Sequence, residues 1–537
     1  LPYKSPWSLP QFTSLLEPGN EKEIDQAFIL EQARLIEDTL SSFGAPGKVV
    51  EVNTGPVITQ FGVEPDYLEK RGGRTRVKVS AIAQLDKDIA LALAARSIRI
   101  EAPVPGKGFV GIEVPNAEPS VVSLRDVMSS EEHQAAVTQK SKLTISLGQS
   151  VDGAPVSADL TQMPHLLIAG TTGSGKSVCV NAIISCLLLQ NSPDELQLIM
   201  VDPKRVELTG YNGIPHLISS VVVDLERIIG VLKWVQREMD ERYKKLGERG
   251  ARNIQDYNRR LPINLQPMPY LVVIIDELAD LMMLAPDETE KLLARLAQMS
   301  RATGIHLIIS TQRPSVDVVT GLIKANFPAR IAFAVASGVD SRVILDTPGA
   351  EKLLGRGDML FQSPDASSPV RMQGVYLSDP EIDRITRYWK EQGVLLKRGG
   401  AAPSSFPKPH DPTEAQSMQM PSARSERFTP DALRPSNTQD NQRSFLAEVD
   451  ALAKQAAHTR NGDDEPIDDD MYDEAVKVVK SLNKASVSLL QRRLRIGYTR
   501  AARLIDLMEE RGVIGPAEAG SKPRNVVGGE DGEGDDL

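Results

Sequence analysis

Eight consecutive residues, Gly170-Thr171-Thr172-Gly173-Ser174-Gly175-Lys176-Ser177, narrow the architectures open to this chain more than any other feature. They fit G-x-x-x-x-G-K-[ST], follow the apolar run 166–169 and precede a helical pattern opening at Val178. A strand, a glycine-rich loop and a helix in that order form a phosphate-binding loop. The glycines let backbone N–H groups turn inward around phosphate oxygens, where the helix N-terminus adds partial positive charge. Gly170, Thr171, Thr172, Gly173, Ser174, Gly175, Lys176, Ser177 and Val178 are therefore the expected nucleotide cradle. Lys176 reaches the β/γ-phosphates of ATP, and Ser177 ligates Mg²⁺. The alternative is a glycine-rich turn before an ordinary helix.

A second element completes such a site. The β-branched run at 270–275 ends in Asp276-Glu277, which reads as a buried parallel strand delivering two carboxylates to the sheet edge where ligands bind. Asp276 is expected to hold Mg²⁺ through water, and Glu277 to polarise the attacking water. Both residues also suit the first turn of a following helix. At 308–314, another buried strand ends in Ser310-Thr311-Gln312-Arg313, and Gln312 is assigned to sensing the γ-phosphate and positioning water.

Arg330 precedes the strand expected at 331–335 with no obvious local acid, so it is the first candidate for a finger reaching a neighbouring subunit's nucleotide; Arg342 is the second. Either could instead make a local ion pair. Asp202-Pro203-Lys204 ends a further strand near the ATP edge, with Asp202 and Lys204 pairing, Lys204 facing DNA, or the three forming a plain turn. Basic residues between Lys244 and Arg260, among them Arg249 and Arg252, could track a phosphate backbone or simply cap a solvated helix end.

The chain has 537 residues, enough for about three domains. A tail at 1–19 leads into a small α+β unit at 20–130, with a helix over 24–43 and short strands, and no catalytic constellation. Residues 131–395 alternate strand and helix patterns, implying a mostly parallel sheet covered on both faces. The longest helix, 225–246, carries a stripe of core residues from Leu225 to Leu246. Composition then shifts to Pro, Ser, Gln, Gly and Ala, and 396–465 reads as a flexible linker. Cys179 and Cys186 are too few for a disulfide scaffold, which points to a reducing, cytoplasmic compartment. No uninterrupted apolar stretch is long enough to span a bilayer, and no metal-ligand spacing appears.

The net charge of −10 conceals an uneven distribution. Between 475 and 503 there are eight Lys and Arg and no acid, while the last nine residues are strongly acidic. The module 466–527 reads as a winged helix: a helix over 471–483, then a second helix over 486–494 and a third to 511 on either side of the turn at Gly497, the third with Ala501, Leu504, Ile505 and Met508 inward, and a small β wing. Its outward residues suit base readout in the major groove, so Arg492, Arg493, Arg495, Thr499, Arg500 and Arg503 are the candidate DNA contacts.

These motifs resemble the FtsK/SpoIIIE DNA translocases of bacteria. The resemblance rests on Met163–Ser177, on Ile275-Asp276-Glu277-Leu278-Ala279-Asp280-Leu281-Met282, on Thr311-Gln312-Arg313-Pro314-Ser315-Val316-Asp317-Val318, on Gly355-Arg356-Gly357-Asp358-Met359-Leu360, and on Leu490–Leu504. It implies an α domain, a RecA-like β domain forming a homo-hexamer around double-stranded DNA, and a tethered winged-helix γ domain that reads oriented sequences. It implies chromosome segregation in division or sporulation, a site-specific recombinase as partner, and a membrane region outside this chain. Thr499 stands where some relatives have Asn, so no particular DNA sequence is carried over. Two other readings are a plasmid-transfer translocase and a winged-helix regulator whose phosphate loop only switches conformation; Glu277 and Gln312 count against the second.

Overall fold

The computed structural model describes residues 3–397 apart from 21, 23, 24, 71, 72 and 140, then 438–461, and 471–515 apart from 483, 495–500, 502, 503, 506 and 510. The chain divides into two compact units, Leu1–Ala456 and Ala457–Leu537.

The α+β domain carries β1 (Gly47–Thr54), β2 (Ile58–Pro65), the hairpin β3 (Tyr67–Lys70) and β4 (Gly73–Arg76), β5 (Arg99–Glu101) and β6 (Val110–Pro115). Its antiparallel sheet, ordered β1-β2-β6-β5, buries Phe61, Val63 and Ile112 under Ile36 and Leu40 of the helix Gln26–Ser42. Asp25 starts that helix by accepting the N–H of Ala27 at 2.9 Å.

The motor sheet has nine strands: β7 (Thr144–Ser150), β8 (Pro155–Asp159), β9 (His165–Ala169), β10 (Leu196–Val201), β11 (Tyr270–Ile275), β12 (Ile305–Thr311), β13 (Ala329–Phe333), β14 (Asp358–Gln362) and β15 (Val370–Gly374). Their order is β10-β11-β12-β9-β13-β14-β15-β7-β8. The first five are mutually parallel, and the other four continue the sheet antiparallel. This is a RecA-like α/β fold in which β12 separates the phosphate-loop strand β9 from the acidic strand β11. Alternation sorts the core: Leu166 and Ile168 pack on one face with the helices Lys176–Gln190 and Asp379–Lys397. Leu167, Val273 and Ile309 face the helix Leu225–Glu248 on the other.

Three expected boundaries move. The supposed tail is a strap on the motor: Tyr3 and Ser5 each donate to Asp194 at 2.7 Å, Trp7 packs on Trp389, and Leu16 enters the motor core. The helix Leu124–Ser129, expected in the first unit, buries Leu124, Val127 and Met128 in that same core. The linker is interrupted by the helix Thr438–Asn461. Its Phe445 and Val449 sink into the motor core beside Trp234, and Glu448 pairs with Arg237 at 2.8 Å while Asp450 pairs with Arg227. Four large apolar side chains, Phe445, Leu446, Val449 and Leu452, among many polar ones did not read as an amphipathic face until a complementary face existed. Residues 398–437 of the expected linker lie outside the described residues.

In the second unit, the helices Tyr472–Leu482 and Val487–Leu494 pack with Ala501, Leu504, Ile505 and Met508 around one core, the four being buried as their spacing required.

Candidate functional site

The phosphate loop bends where its glycines permit it. Gly173 and Gly175 adopt φ of +76° and +114°, and a Cβ on Gly175 would stand 2.6 Å from the backbone N of Gly357. That close approach lets the Gly357 N–H donate to Ser174 O at 2.9 Å, so the Gly355–Gly357 turn buttresses the loop from behind. Thr171 is tied to Ala334 O by both its N–H and its hydroxyl. Thr172 donates to Gln312 Oε1 at 3.2 Å, and Val178 lies in the first turn of the following helix.

Because β9, β12 and β11 lie side by side and parallel, their carboxyl ends bring Lys176, Asp276, Glu277 and Gln312 together across 100 or more residues of sequence. Lys176 Nζ, 2% exposed, donates to Asp276 Oδ1 at 2.7 Å and to Ser310 Oγ at 3.1 Å. Asp276 Oδ2 is buried with no hydrogen-bond partner, as is Ser174 Oγ. A buried carboxylate oxygen without a donor is costly, and it fits a group that brings a cation. Ser177 Oγ donates to Glu207 Oε1 at 2.8 Å, which leaves the lone pairs of the serine oxygen for a metal. Ser177 and Asp276 together are a hard oxygen set suited to Mg²⁺.

Glu277 is nearly inaccessible at 1% exposure. Its Oε1 accepts from the Thr311 hydroxyl at 2.7 Å and the Gln312 N–H at 3.1 Å, and its Oε2 accepts from Lys204 Nζ at 2.7 Å. Burial pushes its carboxyl up, but the bonds from Lys204 and Thr311 outweigh burial and hold it below the ordinary carboxylate value.

The partners Lys204, Glu207, Ser310 and Thr311 were not legible as such. Lys204 pairs neither with Asp202 nor with a bare surface: Asp202 turns back to accept the N–H groups of Glu207 and Leu208, each at 3.0 Å, and so shapes the loop that presents Lys204 to Glu277. Only the Ser310-Thr311 pair, flanking Gln312 at the end of a buried strand, offered a signal.

The premise that Arg330 lacks a local acid is overturned. Its guanidinium donates to Asp346 Oδ2 at 2.6 Å and to the carbonyls of Phe327, Ile344 and Lys324. Its residue is 9% exposed. Four of its five N–H groups are engaged within the subunit, so the guanidinium is held in place by its own chain. Arg330→Ala should therefore cost stability, about 2–3 kcal/mol from the orphaned carbonyls, while the exposed Asp346 keeps Lys324. Mixed with wild-type subunits, it should lower ATP turnover in proportion to its fraction; a steep, poisoning titration curve would contradict this. Arg342 is exposed on the helix Gly338–Leu345 and donates only to Gly338 O at 3.2 Å among its recorded bonds.

The remaining basic candidates sit elsewhere. Arg249 lies over the Tyr257 ring at 5.2 Å, and the exposed Arg252 follows it in a turn next to the helix Ile254–Arg260. Ile254 packs against Gly304 just before β12, so this turn lies at the amino edge of the sheet, opposite the phosphate loop. Arg492 and Arg493 are exposed at the end of the second helix of the second unit. Arg495, Thr499, Arg500 and Arg503 lie outside the described residues. No described helix is long and apolar enough to cross a membrane.

Comparison with known proteins agrees with this anatomy. Residues 123–316 match the FtsK/SpoIIIE family, residues 9–116 the FtsK alpha domain and residues 467–528 the FtsK gamma domain. Over 529 residues, 97% of this chain, identity is 46% to the DNA translocase SpoIIIE of Bacillus subtilis and 47% to the DNA translocase FtsK of Bacillus cereus. The chain spans 59% and 58% of those two proteins. Among solved structures, the monomer form of the pCW3 conjugation coupling protein TcpA with ATPgS overlaps 66% of this chain and 99% of its own at 24% identity and a TM-score of 0.46.

Proposed function

The chain belongs to the FtsK/SpoIIIE family, and from that premise we propose that it is the motor and DNA-reading part of an ATP-driven double-stranded DNA translocase acting in chromosome segregation. The observation that carries the reading is the convergence of Lys176, Ser177, Asp276, Glu277 and Gln312 on one sheet edge, with Asp276 Oδ2 buried and unpartnered. Bound Mg²⁺ supplies charge neutralisation on the nucleotide's phosphates. Ser177 and Asp276 are the residues that would hold it. Lys176 exchanges its bond with Asp276 for the β/γ-phosphates, Glu277 orients the attacking water, and Gln312, already against Thr172, reports on the γ-phosphate.

The proposal includes a homo-hexameric ring with nucleotide sites between subunits. Its support is a set of exposed apolar side chains around the carboxyl edge of the parallel strands: Val206, Met283, Val316 and Val339. Arg342, exposed after β13, takes the place of Arg330 as the candidate finger. The relatives' names supply DNA as the track. The second unit reads it through Arg492 and Arg493, with Arg495, Thr499, Arg500 and Arg503 as the remaining proposed contacts, and Arg249 and Arg252 as proposed phosphate contacts. Anchoring in the bacterial inner membrane and partnership with a recombinase belong to the same proposal for the whole protein.

The test separates motor from reader. Duplex DNA should stimulate ATP hydrolysis and drive displacement of a bound third strand. Deleting residues 462–537 should leave both largely intact while removing preferential loading on an oriented site, because a motor that moves over any sequence contacts phosphates whereas the reader contacts base edges. ATP turnover indifferent to duplex DNA would sink the translocase reading.

A further inference from the structure

Glu277 stands in a cage that suits storage of its charge better than use of it. A carboxylate that orients water needs an accepting lone pair facing the substrate. Here Oε1 is taken by Thr311 and the Gln312 N–H, Oε2 by Lys204 at 2.7 Å with the same Gln312 N–H at a longer 3.4 Å, and the residue is almost sealed from solvent. Two of those donors are fixed at the end of β12, a central strand. The third is a four-carbon side chain, 37% exposed, on a loop outside the sheet. Lys204 is the one bond in the cage that can open without distorting the fold. Its loop is built to present it: Asp202 pins Glu207 and Leu208, Arg205 adopts a φ of +59°, and Arg205 and Val206 stand exposed at the tip beside the nucleotide edge.

We propose that Lys204 is a positioning residue that holds Glu277 silent in the nucleotide- and DNA-free motor, and that coupling of hydrolysis to DNA consists in withdrawing it. The proposal rests on Glu277 being the water-orienting residue of the function proposed above. With Lys204 in place, Oε2 is committed and the carboxylate's charge is neutralised. With Lys204 withdrawn, Thr311 and Gln312 still hold Oε1, so the carboxylate keeps its orientation while Oε2, left with the long 3.4 Å contact to the Gln312 N–H, can accept from water. The same loop carries Glu207, the acceptor of the Ser177 hydroxyl, so one rigid segment touches both the metal-binding serine and the water-orienting glutamate.

Lys204→Met tests this, because it keeps the length of the side chain and removes both the donor to Glu277 and the charge. Expected is a rise of about fivefold or more in DNA-independent kcat, with KM for ATP within about twofold of wild type and a correspondingly smaller stimulation by DNA. Lys204→Arg should restore the low basal rate. A basal kcat for Lys204→Met at or below that of wild type overturns the proposal. A readout free of turnover is acylation of the Lys204 amine by an N-hydroxysuccinimide ester, followed by mass spectrometry. Lys204 should label slowly in the free protein, faster with duplex DNA and a non-hydrolysable ATP analogue, and faster in Glu277→Gln without either. Equal labelling in all three overturns the clamp. Failure of the underlying reading shows separately, as a Glu277→Gln enzyme that still hydrolyses ATP at the wild-type rate.

Discussion

Glu277→Gln should bind ATP with an affinity near that of wild type and lose at least about a hundredfold in DNA-stimulated turnover, the usual scale for removing a positioned acid–base group. The substitution keeps the bond from Thr311 and nearly the same volume, so the pocket at the end of β12 stays formed. What disappears is the anionic oxygen that orients water. Lys176→Ala should fail earlier: with its amine gone, the phosphates lose their cationic contact and nucleotide binding itself weakens. It also leaves Asp276 Oδ1 with Ser310 as its one remaining recorded donor, so the apo protein should lose stability as well. Equilibrium binding of a fluorescent ATP analogue beside steady-state hydrolysis separates the two variants. A hydrolysing Glu277→Gln enzyme would move the water-orienting role to another residue.

Arg371→Met should be among the most destabilising single substitutions in the protein, costing about 3–5 kcal/mol. Arg371, on β15, donates to both oxygens of Asp358 at 3.0 and 2.6 Å and to Glu113 Oε2 at 2.6 Å, and all three side chains are buried. Glu113 belongs to β6 of the α+β domain and is held from its other side by Arg99 at 2.9 Å, so this network joins that domain to the motor sheet. Asp358 follows the Gly355–Gly357 turn that supports the phosphate loop. Methionine fills the volume but leaves two buried carboxylates short of charge. Urea unfolding at neutral pH measures the loss, and a loss below about 1 kcal/mol would show that solvent enters and relieves the charges.

The pH dependence of that loss has a definite sign. Burial pushes the Glu113 carboxyl up, yet Arg99 and Arg371 together hold it below its ordinary value. In wild type its contribution is therefore complete above the unfolded pKa of about 4.3 and is lost as pH falls through the lowered folded value. Without Arg371, burial counts for more, the carboxyl rises, and acid relieves part of the penalty. The stability gap between wild type and variant should narrow between pH 7 and pH 5.

How much of this was readable in advance depended on how far apart in the chain the cause and its effect lie. The phosphate loop, the acidic strand end and Gln312 were legible because each is a local pattern: a strand period that stops, a glycine that permits positive φ, a carboxylate or amide placed at the strand's end. The inward stripe of the third helix in the second unit followed from spacing alone for the same reason, and Ala501, Leu504, Ile505 and Met508 are all buried. Arg330 was misread because Asp346 lies 16 residues away, beyond a strand and a helix, and no local pattern records that pairing. The docking of Phe445 and Val449 beside Trp234 was hidden because a weakly amphipathic helix gains its burial only from a partner face more than 200 residues earlier.

The sequence by itself thus determined which residues stand at the sheet edge for the proposed contacts with phosphate, metal and water, since backbone geometry and side-chain chemistry demand particular types at particular steps. Only the tertiary structure decided which charges neutralise one another, Lys204 on Glu277 and Arg371 between Asp358 and Glu113, and which carboxylate accepts the Ser177 hydroxyl, Glu207. Ion pairing acts over a few ångströms of space whatever the separation along the chain, and the parallel order of β10, β11, β12 and β9 sets those distances.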